Sequence, residues 1–159
     1  MLIFEAPADV SYSQISLFRN EEHLFNGWTD EHVAQGFAYR KGHVSFGVPD
    51  HDGQVKIEFR IEPSYELKPQ VLRAIQVPFS VDANHVVIAT IFQEWKLNIE
   101  DNAIYSLYFE ILEEDQEDFA YTLKFTLVPD DEPDFRVLRK SDEMTSDVVI
   151  TTTATEEKF

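Results

Sequence analysis

Apolar and polar residues alternate through much of this 159-residue chain. The stretch Gln54-Val55-Lys56-Ile57-Glu58-Phe59-Arg60-Ile61-Glu62 alternates without a break, setting Val55, Ile57, Phe59 and Ile61 on one side. A period of two is that of a strand with one face buried and one wet. His43–Val48 precedes it, and Pro49-Asp50-His51-Asp52-Gly53 lies between. Asp-Gly between two apolar runs predicts a hairpin, because glycine takes the positive φ of a tight return. Similar runs recur at Val10–Phe18, Val71–Phe79, His85–Phe92, Trp95–Ile99, Ala103–Leu112, Ala120–Val128, Phe135–Arg139 and Val148–Thr153. About ten strands at spacings of roughly 8–15 residues predict an all-β fold, an antiparallel β-sandwich. One short helix is expected near residues 29–36. Thr29 suits its N-cap, Asp30 and Glu31 suit the positive end of its dipole, and Gly36 can end it.

Length predicts a single domain over residues 1–159, with a tail at about 154–159 expected to fray. Thirteen Phe and a 43% apolar content argue for a packed core rather than disorder. With no cysteine, thiol catalysis, Cys-ligated zinc, iron–sulfur clusters and disulfides are excluded. Met1-Leu2-Ile3-Phe4-Glu5 lacks a basic leader and breaks its apolar run at once, unlike a signal peptide. No run approaches the roughly 18 apolar residues of a spanning helix. A cytoplasmic protein without membrane insertion is the expectation.

Charge changes this picture most. The net charge is −17, and it is uneven: −5 over residues 1–99 against −12 over residues 100–159. Such a field disfavours direct nucleic-acid binding and attracts cationic partners. Two clusters stand out, Glu113-Glu114-Asp115-Gln116-Glu117-Asp118 and Asp130-Asp131-Glu132-Pro133-Asp134. A surface of about 8,000 Å² gives roughly one net charge per 480 Å². Duplex DNA presents roughly one per 110 Å². Average charge is therefore too dilute to imitate a polyanion. Only the clusters approach it, and the five acids of residues 113–118 would act as one anionic knob within a Debye length or two.

Catalytic signals are absent from the pattern. His23, His32, His43, His51 and His85 fall in separate segments without metal-ligand spacing. Ser45, Ser80 and Ser106 lack a nucleophile elbow. Thirty acids make any carboxylate pair uninformative, so an acid-dependent hydrolase has no specific support. Neither acidic cluster has the alternation and central glycine of an EF-hand loop. No cofactor is expected. Trp28 follows the turn signal Asn26-Gly27 and precedes the helix, where it either packs the turn or anchors an interface.

Trp28-Thr29-Asp30-Glu31 through Gly36-Phe37-Ala38, then Gly42-His43-Val44-Ser45-Phe46, resembles the signature stretch of the competence protein J family, ComJ-type inhibitors of a DNA-entry nuclease. Val10-Ser11-Tyr12-Ser13-Gln14-Ile15 is similar to an early strand of that family. Val77-Pro78-Phe79-Ser80-Val81, with Asn84, Val86 and Ile88, is similar to a later strand pair. The resemblance spans residues 10–92, more loosely to 112, and leaves both acidic clusters outside. It implies a non-enzymatic inhibitor or immunity-type protein whose partner is a nuclease. The partner-binding residues expected are Glu113, Glu114, Asp115, Glu117, Asp118, Asp130, Asp131, Glu132 and Asp134, with Trp28, Asp30 and Glu31 as a second contact. The alternative is a calcium- or carbohydrate-binding β-sandwich module.

Overall fold

Inward-facing apolar residues from two β-sheets meet in one core in the computed structural model, which describes residues 1–10, 13–19, 25–113 and 118–157. The first elements are β1 (Leu2–Ala8), β2 (Gln14–Phe18), β3 (Phe25–Asn26), α1 (Asp30–Gln35), β4 (Phe37–Arg40) and β5 (His43–Gly47). Then come β6 (Gln54–Ile61), β7 (Val71–Val81), β8 (His85–Ala89) and β9 (Glu94–Asn98). The chain closes with β10 (Ala103–Glu113), β11 (Phe119–Pro129), β12 (Arg136–Arg139) and β13 (Glu156–Glu157). The larger sheet has the order β1-β6-β11-β10-β7-β12 and the smaller one β4-β5-β2-β8-β9. Phe46 of the smaller sheet stacks on Phe109 of the larger, with ring centres 4.3 Å apart. Phe125 packs against both rings, at 6.1 and 5.2 Å. The all-β sandwich is therefore as the alternation implied.

Three expectations need correction. The smaller sheet is antiparallel as expected, whereas the larger sheet is mixed, with β6 and β11 parallel. Those two strands are separated by 57 residues of intervening chain, so no tight turn dictates their direction. The Asp-Gly turn does not make a hairpin either. β5 pairs with β2 and β4, whereas β6 pairs with β1 and β11 in the other sheet. Gly53 does take φ +79°, but the turn serves to cross between sheets because both edges of β5 are already paired. Val148–Thr153 is not a strand. Its backbone instead bonds to α1: Gln35 Oε1 accepts from the N–H groups of Ile150 and Thr151, at 2.8 and 3.0 Å.

The helix runs from Asp30 to Gln35 between Thr29 and Gly36, and Gly36 ends it at φ +86°. Beyond Ile150 the chain follows α1 and then β3. His32 Nδ1 accepts from the Thr29 N–H at 3.0 Å, so its Nε2 carries the proton given to the Thr153 carbonyl at 2.8 Å. Gly27 N–H donates to the Thr155 carbonyl, and β13 pairs with β3. This layer packs on β4 and β5 of the smaller sheet. Beneath it the buried Asn26 amide donates to the Ala38 and His43 carbonyls and to Ser45 Oγ. No helix among the described residues is long and apolar enough to cross a membrane.

His43 lies under the same layer, stacked on Phe18 at 4.9 Å. Burial, and secondarily the Arg40 charge, push its imidazole down to about 3. In the unfolded chain a histidine takes its proton near pH 6.5. The folded state binds fewer protons in between, so stability is lost as pH falls from about 6.5 towards 3, at up to about 1.4 kcal/mol per pH unit. His43→Phe keeps the ring and removes the titration. Its urea-unfolding free energy should fall less steeply with acid between pH 7 and 4 than that of the parent. Parallel profiles would contradict this account.

Candidate partner-binding surface

The two acidic clusters sit at opposite ends of the sandwich. Glu113 closes β10 opposite Tyr121, whereas Asp130 follows the far end of β11 and its N–H bonds to the Ile104 carbonyl. Eleven residues of β11 separate the ends, which is about 36 Å of strand. Glu113 and Asp118 are exposed at the first end. Glu114, Asp115 and Glu117 lie outside the described residues. At the second end Asp130 accepts from Ser106 Oγ at 2.7 Å and from the Glu132 N–H at 3.0 Å. Those bonds hold its carboxyl below the usual carboxylate range. Asp134 binds the Phe135 N–H at 2.8 Å and approaches Arg136 at 3.6 Å. Asp131 and Glu132 remain exposed at the loop tip.

Trp28, Asp30 and Glu31 belong to the first end. Trp28 Nε1 donates to Gln14 Oε1 at 3.1 Å, and Gln14 pairs with Gly47. Gly47 N–H donates to the Gly36 carbonyl at 2.9 Å, which brings α1 over the ends of β2 and β5. Asp30 and Glu31 are exposed in the first turn of α1. Hydrogen bonds from its own backbone and Thr29 hold the Glu31 carboxyl below its ordinary value. Trp28 thus borders the acidic end without touching the far loop.

Trp28 also walls a cleft of about 420 Å³ that no sequence pattern announced. Val33 and Met144 continue its apolar lining, and Glu143 and Glu157 stand at it. Behind Gly47 the Arg73 guanidinium is buried, only 1% exposed. Its Nε donates to Ser141 Oγ, and its terminal nitrogens to the Gly47 and Asp142 carbonyls, at 2.8, 2.7 and 2.6 Å. Burial lowers the Arg73 pKa, opposed by the nearby Glu143. One signal of it was legible. Arg73 shares the inward parity of Val71, Ile75 and Val77, a charge at a core position.

Electrostatics separate the faces. On the outer face of the larger sheet Glu58, Lys124 and Glu110 align as cross-strand neighbours. Arg60 bonds to Glu58 and Glu62 there, at 3.0 and 2.9 Å. Charges on that face are largely paired, which leaves surplus negative charge to the ends of the sandwich. Among the described residues no group of three or more His, Asp or Glu side chains is placed to hold a metal ion.

Residues 7–128 match the family described as Competence protein J (ComJ). The chain belongs to the ComJ family. The match takes in residues 113–118, which lie outside the motifs of residues 10–112, and stops short of residues 130–134. Among solved structures, the fold is similar to that of ComJ from Bacillus subtilis, inhibitor of the DNA degrading activity of NucA. The TM-score is 0.71 at 23% identity, over 82% of this chain and 98% of that one. A second structure, Crocagin biosynthetic gene J, aligns with TM-score 0.49 and 13% identity over 82% and 97% of the two chains. Among curated proteins, no sequence matches. The ComJ match does not extend to Glu143, Met144 and Glu157, so the cleft joins residues inside and outside the matched range.

Gly36 lines this cleft in the left-handed region, and a Cβ there would lie 3.0 Å from the Met144 thioether and 3.1 Å from Ile75 Cδ1. Gly53 has a similar φ of +79° with nothing within 4 Å. Gly36→Ala should cost stability beyond the backbone penalty of about 1–2 kcal/mol, whereas Gly53→Ala should pay only that penalty. Urea denaturation measures both, and equal losses would show that the cleft wall yields freely.

Proposed function

We propose that this chain is a nuclease inhibitor that acts by binding and performs no chemistry of its own. Membership of the ComJ family carries the reading, and the acidic end of the sandwich supports it. Carboxylates docked on a cationic DNA track would exclude substrate by competition. The docking end is that of Glu113–Asp118, with Trp28, Asp30 and Glu31. A usual interface covers about 800 Å² per partner, a patch on the order of 30 Å across. Asp130, Asp131, Glu132 and Asp134 lie too far away to share its centre.

The test is DNA cleavage by the NucA-type nuclease of the protein's own host, titrated with this protein. Near-complete inhibition close to one equivalent is expected at low salt, and it should weaken as screening shortens the reach of charge to about 3 Å at 1 M. Absence of inhibition at stoichiometric protein and low salt would sink the reading. The double variant Glu113→Lys/Asp118→Lys should inhibit more weakly and lose salt sensitivity. Asp131→Lys/Glu132→Lys should inhibit like the parent, and the reverse ranking would place the docking surface at the other end.

A further inference from the structure

The cleft at Trp28 has features that the acidic loops lack. Three non-glycine residues have positive φ among the described residues, and two of them, Ser13 (54°) and Glu143 (77°), line it. Backbone strain of this kind concentrates at binding sites because the surroundings must hold it in place. Val33 stands at the cleft with 51% of its surface exposed. The segment carrying the exposed Val148 and Ile150 is bonded alongside, through Ala34 and Gln35. An apolar centre with a charged rim is the anatomy of a protein interface.

Charge decides what fits. Glu143 and Glu157 make no ion pair among the described residues. Glu157 lies back over Gly27, where an added Cβ would come within 3.3 Å of its Oε2. Arg73, the one cation among the described residues that line the cleft, is buried and already donates to three acceptors. Two free carboxylates flanking a tryptophan favour a guest with an aliphatic stem and a cationic end. A second copy of this chain, also carrying −17, is a poor guest by the same argument.

We infer that the cleft receives a lysine or arginine side chain of the inhibited nuclease. Its stem lies between Trp28, Val33 and Met144, and its charged end meets Glu143 and Glu157. The inference rests on the inhibitor reading above and gives that contact its centre, an anchored basic side chain inside the acidic field.

The probe is the same host nuclease, with half-inhibitory concentrations compared between variants. Val33 is half exposed on a helix surface, so both Val33→Lys and Val33→Glu should fold, as thermal melting will verify. Val33→Lys, which places a cation at the cleft, should raise the half-inhibitory concentration by about tenfold or more. Val33→Glu should change it by no more than about threefold. Glu143→Gln/Glu157→Gln should weaken inhibition while leaving the Glu113/Asp118 contribution intact. Equal effects of the two Val33 variants, or parent-like inhibition by all of them, would overturn the cleft while leaving nuclease inhibition standing. So would a dimer of the parent in sedimentation that Val33→Lys dissolves. A parent protein that does not inhibit at all would overturn both.

Discussion

One buried guanidinium ties the two sheets together at the end that carries Glu113, Asp118 and Trp28. Arg73 extends from β7 of the larger sheet and holds the carbonyl that ends β5 of the smaller sheet. The same group holds Ser141 and Asp142, the segment that follows β12. A charge taken out of water is costly unless every strong donor finds an acceptor. Here the acceptors are carbonyls and a hydroxyl, so the carboxylates of Asp142 and Glu143 are not consumed in pairing with it. The guanidinium therefore fixes the backbone behind the cleft and leaves the acids outward.

This economy recurs in the charge distribution. The outer face of the larger sheet sets Glu58, Lys124 and Glu110 in a row of alternating sign. Asp130 is bound to Ser106 and to its own loop. Among the described residues, exposed acids without an ion pair stand at both ends, Glu113 and Asp118 at one and Asp131 and Glu132 at the other, and Glu143 and Glu157 stand at the cleft. Cations pair with acids across the molecule: Arg60 on the outer face of the larger sheet, Arg19 with Asp82, Arg40 with Glu156 and Arg136 with Asp134.

Residues with strong local signals formed what those signals implied. Gln54–Ile61 alternates and is a strand; Thr29 and Gly36 cap a short helix as expected. Partner choice was not legible, because Asp52-Gly53 specifies a bend and says nothing about which strand edges are still open. β1 carried only the short run Leu2-Ile3-Phe4, and its place at a sheet edge relaxes the alternation that a central strand shows. Val148–Thr153 has strand-like composition, yet its hydrogen bonds go to a helix and a glutamine side chain. The cleft was invisible for a geometric reason. Its walls come from the turns around residues 13 and 27, from α1, and from residues beyond 140. Two of its residues left a trace, Trp28 at a turn before the helix and Arg73 as a charge at an inward position.

The bonds from residues 150–157 to the first third of the chain have a consequence for biosynthesis. His32 reaches its carbonyl partner across 121 residues of sequence, and Gln35 across 116. Contacts that distant close slowly, after the loops between them have been ordered. A ribosome delivers roughly 5–20 residues each second, so the smaller sheet stays uncapped for several seconds while the rest of the chain emerges. The cleft has no Glu157 until then. A chain assembled in this order closes the layer over β3 and α1, and the cleft beside it, last.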